Sequence, residues 1–207
     1  MRKTATALVL GFLASLLPTC GWPWDNPAAQ PQLRLGLRVS FHQGAGSLTI
    51  DYRVVDNDSV PVVVFTGVPA KETVSAPRPD PNAVYVAPAG GSVEIAKRLF
   101  AVPAGVDPVA QFLLRGVNLA PGEGAAERVV VALPLRLRVP YAGAMPKPPK
   151  LPDRVGRVMF CVGAARQDRL RPVPPDSADT DPHPIFAHAG GVEEVQHVSC
   201  SAPYDLQ

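Results

Sequence analysis

From Leu35 onward the chain alternates apolar and polar residues with a period of two, and this constrains its fold more than any other feature. Leu35, Leu37, Val39 and Phe41 fall on one side of an extended chain, with Arg34, Arg38 and Ser40 on the other. Leu48, Ile50, Tyr52 and Val54 repeat the pattern against Thr49, Asp51 and Arg53. Successive side chains of a strand point to opposite faces, so these segments read as strands with one buried side. Gln43-Gly44-Ala45-Gly46 and Asn57-Asp58-Ser59 supply turn chemistry at their ends, which predicts a meander.

Further strands follow the same logic. Pro61 to Val68 is an apolar run rich in β-branched residues. Ala83 to Ala87 and Ser92 to Phe100 form a hairpin around Pro88-Ala89-Gly90-Gly91. Glu127 to Val139 reads as one long strand or two, with Val129, Val131, Leu133, Leu135, Leu137 and Val139 on one side; Pro134 within it argues for an edge or a bend. Val155 to Ala164 and Gly191 to Cys200 complete the set. The segment 107–116 admits two readings. Asp107-Pro108 with Gly116 marks a helix with a cap, a first-turn proline and a terminal glycine. Gln111 to Leu119 also fits a strand, and the neighbouring strands favour that. Pro140 to Pro152 and Pro172 to Pro184 carry five prolines each and read as extended loops.

The amino terminus has a different character. Met1-Arg2-Lys3, an almost wholly apolar run from Thr4 to Leu17, and Pro18-Thr19-Cys20 have the layout of a secretory signal. The run is short of the ~20 residues a membrane-spanning helix needs. Leu17-Pro18-Thr19-Cys20 resembles the acylation box of bacterial lipoprotein signals, departing from it at the two middle positions. The resemblance implies that Cys20 is lipidated, giving a membrane anchor; cleavage after Gly21, with plain export, is the competing reading. Gly21 to Gln32, with Trp22, Trp24 and three prolines, reads as a tether.

Export bears on charge and on cysteine. Loss of Arg2 and Lys3 would leave 18 basic against 18 acidic residues, so the domain offers no overall basic footprint for nucleic acid. The balance is local: Arg128 to Arg171 holds ten basic and two acidic residues, and Pro172 onward holds six acidic and no Lys or Arg. With Cys20 lipidated or removed, Cys161 and Cys200 remain as the even pair expected in an oxidising compartment, and a disulfide between them is predicted.

The Asn57-Asp58-Ser59 turn and Leu119-Ala120-Pro121-Gly122-Glu123 ahead of a long strand resemble bacterial extracellular immunoglobulin-like sandwich domains, among them the bacterial intracellular proteinase inhibitor family. The resemblance spans 33–139 and implies fold alone; the Cys–Trp–Cys core of true immunoglobulin domains is missing. The expectation is an all-β protein, an immunoglobulin-like β-sandwich of about seven to nine antiparallel strands with proline-rich loops. The segments are a signal over 1–20, the tether over 21–32 and a single domain over 33–207.

No Gly-x-Ser-x-Gly, His-Glu-x-x-His, Cys-x-x-Cys, Gly-x-Gly-x-x-Gly or P-loop pattern occurs, and no enzyme activity or cofactor is expected. The function expected is a non-enzymatic envelope lipoprotein, or a secreted protein, that binds a protein or another envelope component and touches the membrane through its anchor. Two alternatives come from other classes. His183, His188 and His197 with Asp179 and Asp181 combine imidazole and carboxylate as Zn or Cu sites do, which would make a periplasmic metal-binding protein. The inhibitor-like fold would make a protease inhibitor.

Overall fold

The computed structural model describes residues 32–70, 79–106, 113–174, 181–187 and 195–207. Cys20, the tether through Pro31, the segment 107–112, Asp179, His188 and the predicted start of the last strand at 191–194 lie outside the described residues.

The period-two stretches form the sheet they predict. Strands β1 (Leu35–Gln43) and β2 (Ser47–Asp56) pair antiparallel, and β8 (Gly124–Ala132) pairs with the far side of β2, giving a three-stranded sheet ordered β1-β2-β8. Leu48, Ile50 and Val54 are fully buried and Tyr52 nearly so, whereas Arg53 between them is exposed. The register runs unbroken from Leu35 opposite Asp56 to Gln43 opposite Leu48. A slip of one residue would turn every one of these apolar side chains to water, and this pins the pairing.

The second sheet is built around two central strands, β3 (Val62–Pro69) and β9 (Arg157–Arg166). With β5 (Tyr85–Ala89), β6 (Ser92–Lys97), β7 (Leu113–Leu119) and the short β10 (Pro172–Val173) and β11 (Ile185–Ala187), the order is β10-β11-β7-β3-β9-β6-β5. Three further short strands complete it: β4 (Pro79–Asp80) pairs β3, while β12 (His197–Cys200) and β13 (Tyr204–Asp205) pair β9. All eight residues of β3 and all six of β6 are buried, because this sheet is covered on both faces. The β5–β6 turn is the expected hairpin, with Gly90 and Gly91 at φ 47° and 89°, the positive values a two-residue hairpin loop demands.

Strand β9 organises this sheet. Val162 pairs with Lys97 of β6 and Ser199 of β12, and Ala164 with Val64 of β3 and His197 of β12. Hence β6 and β3 lie end to end along one edge of β9, with β12 along the other. Cys161 and Cys200 face each other in this β9–β12 register, with Cα atoms 4.1 Å apart, and are disulfide-bonded as the cysteine count predicts.

The β-sandwich expectation holds, with three amendments. Among the described residues eight strands have five residues or more, within the expected number, and five short ones add to them. One pairing, β6 with β9, is parallel, because the chain between them crosses through the other sheet and re-enters in the same direction. Of the one strand or two expected over Glu127 to Val139, the divided reading holds: β8 ends at Ala132, ahead of the bend expected at Pro134. Pro134 has no N–H to give a ladder, so the chain leaves the sheet there. Arg138 then bridges to Val86 of β5, which places Leu137 and Val139 against the far face of the larger sheet. For the ambiguous segment, residues 113–119 form a strand.

Two apolar clusters hold these layers. Leu48, Ile50, Tyr52, Val54 and Val129 of the small sheet meet Val62, Val64, Ile95, Phe160 and Val162 of the large one. On the reverse face of the large sheet Val63, Phe65, Ala96, Leu114 and Phe186 pack under Phe100, Val139 and Met145. A fully buried side chain such as Phe65 or Phe160 contributes roughly 1.5–3 kcal/mol. The chain end is fastened too: Phe41 stacks on Tyr204 with centroids 4.9 Å apart, and the Gln43 side chain exchanges two hydrogen bonds with the Gln207 backbone. Among the described residues no helix is long and apolar enough to cross a membrane.

Candidate functional site

Two of the five candidate metal ligands form a local contact. Asp181 Oδ1 accepts the backbone N–H of His183 at 2.9 Å and lies 3.1 Å from its Nδ1. Buried Arg115 reaches the same group: its Nε lies 3.3 Å from Asp181 Oδ2, in charge contact without hydrogen-bond alignment, and its Nη1 donates to the His183 carbonyl at 2.8 Å. A guanidinium beside the carboxylate competes with any metal cation there, and the arrangement ties the proline-rich loop to β7. His197 is distant. It stands on β12, four strand spacings across the sheet from β11, or about 19 Å. Among the described residues no three His, Cys, Asp or Glu side chains are placed to hold a metal.

The more distinctive arrangement is the outward face of β1-β2-β8. Cross-strand register sets its side chains in rows: Arg38, Arg53 and Ala126; Ser40, Asp51 and Arg128; His42, Thr49 and Val130. Arg128 grips Asp51 with both ends of its guanidinium, Nε to Oδ1 at 2.6 Å and Nη2 to Oδ2 at 3.2 Å. This pairing holds the Asp51 carboxyl below the usual carboxylate range. His42 Nε2 stands 3.8 Å from the same carboxylate. Arg38 and Arg53 face each other directly, and among the described residues neither has a carboxylate partner. Like charges opposite one another weaken a sheet. Three arginines against one aspartate leave this face with a formal charge of +2.

Small neighbours give these arginines room. A Cβ on Gly124 would stand 3.2 Å from Arg53 Nη2, so the guanidinium lies over bare backbone, beside Ala126. The result is an open groove of about 620 Å³ along Arg38, Ser40, Asp51, Arg53 and Arg128, with Glu127, paired to Lys97, also in its lining. Exposed Val130 stands at the other end of the same face.

Directly beneath, on the inner side, a wholly buried cation is paired. Lys97 Nζ donates to Glu127 Oε2 at 2.8 Å and to the Pro81 carbonyl at 2.7 Å, and the Tyr52 hydroxyl makes a short hydrogen bond to the same Oε2. Burial pushes the Lys97 ammonium below its ordinary value against the pull of Glu127. Burial, then the Glu127 charge, pushes the Tyr52 hydroxyl far above its ordinary value. A second buried pair, Arg98 with Glu94, is bidentate at 2.5 and 3.0 Å, and Arg98 lies 3.8 Å over the Phe100 ring. The hairpin reading of Ser92 to Phe100 gave no reason to bury Lys97. Only the end-to-end placement of β6 and β3 along β9, under the small sheet, buries it.

Comparison of the chain with protein-family models, curated proteins and solved structures gives no match.

Proposed function

We propose that this protein is an exported, non-enzymatic binding module of the bacterial cell envelope, an immunoglobulin-like sandwich anchored to the membrane through Cys20 and presenting one charged face to a protein or another envelope component. The observation that carries the reading is the contrast between the two sides of β1-β2-β8. The inner charges, Lys97 and Glu127, are committed to each other, whereas Arg38 and Arg53 on the outer side stand opposed over an open groove. A rigid scaffold carrying unneutralised charge on one face supports recognition better than chemistry. The Cys161–Cys200 bond agrees with an oxidising compartment.

Mass spectrometry of the mature amino terminus together with crosslinking in intact envelopes tests this reading. The expected result is an acylated Cys20 and a reproducible crosslinked partner. An unmodified terminus after Gly21 would remove the anchor, and the absence of any reproducible partner would remove the binding role.

A further inference from the structure

We propose that the outer face of β1-β2-β8 binds a phosphoryl oxoanion between Arg38 and Arg53, with Arg128 as a fixed flank. The inference rests on the binding-module reading and names the ligand chemistry of the same face.

The geometry points to an anion because the two arginines stand opposed and, among the described residues, neither has a carboxylate partner. Their cross-strand opposition costs stability, and a bound anion turns repulsion into two attractive contacts. Arg128 is not equivalent to them: Asp51 occupies its fork, fixing it in place and leaving the charge of the other two uncancelled. Gly124 and Ala126 leave the space beside Arg53 open, and Ser40 beside Arg38 adds a hydroxyl able to donate to an oxygen. Two guanidiniums suit a phosphoryl group, whose several oxygens can accept from both at once, better than a carboxylate, which fills a single fork. The source of that chemistry is either a free phosphate or the headgroup of an anionic phospholipid. The start of β1 lies within 15 residues of Cys20, so an acyl anchor there would hold this face within about 50 Å of a bilayer.

The test uses the mature protein in neutral detergent micelles and follows the side-chain Nε–Hε resonances of Arg38, Arg53 and Arg157 by NMR. Arg157, an exposed arginine paired with Asp205, serves as the internal control. One arm adds inorganic phosphate, a second dopes the micelles with phosphatidylglycerol, and a third adds sodium chloride at matched ionic strength. The expected result is a saturable shift of Arg38 and Arg53, without Arg157, in at least one of the first two arms. The first arm identifies free oxoanion and the second a lipid headgroup. An R38Q/R53Q double variant should weaken that binding about tenfold or more, as loss of two charge-assisted contacts requires. The proposal is overturned if chloride reproduces the shifts, if Arg157 moves equally, if neither arm shifts the pair, or if the double variant binds unchanged. A partner crosslinked equally well by wild type and R38Q/R53Q would leave the binding module standing and remove this face as its site.

Discussion

Lys97 and Glu127 form an ion pair that joins the two sheets of this protein, one from β6 and the other from β8, with the Lys97 side chain wholly out of solvent and its Nζ 2.8 Å from Oε2. The pair sits in the same interlayer space as Tyr52 and Phe160, whose rings meet at 4.5 Å. Fixing a cation between two sheets dictates where each strand of one lies over the other, because any shift strands the ammonium in apolar surroundings.

The pair therefore predicts an asymmetry between its partners. Glu127→Gln leaves Lys97 charged and buried without a counter-ion, and should cost about 3–5 kcal/mol of unfolding free energy. Lys97→Met removes the buried charge itself, and leaves a carboxylate that is 22% exposed and still accepts from Tyr52. It should cost less, about 1–2 kcal/mol. Urea unfolding of the two variants checks the order; equal losses would mean that the pair acts as packing alone.

Tyr52 gives the same network a pH signature. Its hydroxyl titrates near 10.0 in the unfolded chain and well above that in the folded one, where burial and Glu127 oppose ionisation. Above pH 10 the unfolded chain has lost this proton and the native protein has kept it, so stability falls as pH rises, by about 1.4 kcal/mol per pH unit. Tyr52→Phe should lower stability at pH 8 through the lost hydrogen bond, yet flatten the alkaline slope between pH 10 and 11 by about 0.7 proton, rising towards one at higher pH. Denaturant midpoints across that interval measure it, and an unchanged slope would contradict the assignment.

The opposed arginines predict the reverse of an ordinary surface substitution. Arg38→Gln relieves repulsion with Arg53 and should raise stability by about 0.2–0.5 kcal/mol, roughly 1–2 °C in Tm. At ~1 M salt, where the screening length is about 3 Å, the gain should vanish. Calorimetry at low and high salt, with Arg157→Gln as the comparison, decides whether the two charges repel as their register implies.

The sequence made the small sheet legible because each of its strands is wet on one side, so periodicity reported both identity and face. It also exposed the Cys161–Cys200 bond by elimination. The Arg38–Arg53 pair was half visible: both residues stand on polar faces, but their opposition depends on a register that appears only once β1 and β2 are aligned. The large sheet was less legible. Strands buried on both sides show no alternation, and the parallel β6–β9 pairing joins segments distant in the chain, so no local pattern encodes it. At Asp181 and His183 the residue types alone suggested a metal, whereas Arg115, which reaches both, comes from a strand nearly 70 residues away and no local pattern announced it.

Gly163 tests that long-range arrangement directly. It lies on β9 where the end of β6 gives way to β3, and a methyl group there would meet Phe65 Cδ2 at 2.8 Å, Gln196 Oε1 at 2.8 Å and Arg98 Cβ at 3.0 Å. None of these neighbours can retreat freely. Phe65 is fully buried, Gln196 exchanges hydrogen bonds with the Leu99 backbone in both directions, and Arg98 is held on Glu94. In an isolated strand, alanine would be favoured over glycine by about 0.5–1 kcal/mol. Here crowding should reverse the sign, and Gly163→Ala should destabilise by about 1–3 kcal/mol. Gly46→Ala, in a turn with nothing within 4 Å of the added methyl, provides the contrast and should be nearly neutral. If thermal unfolding found both substitutions equally mild, β6 and β3 could not converge on β9 as closely as this packing requires.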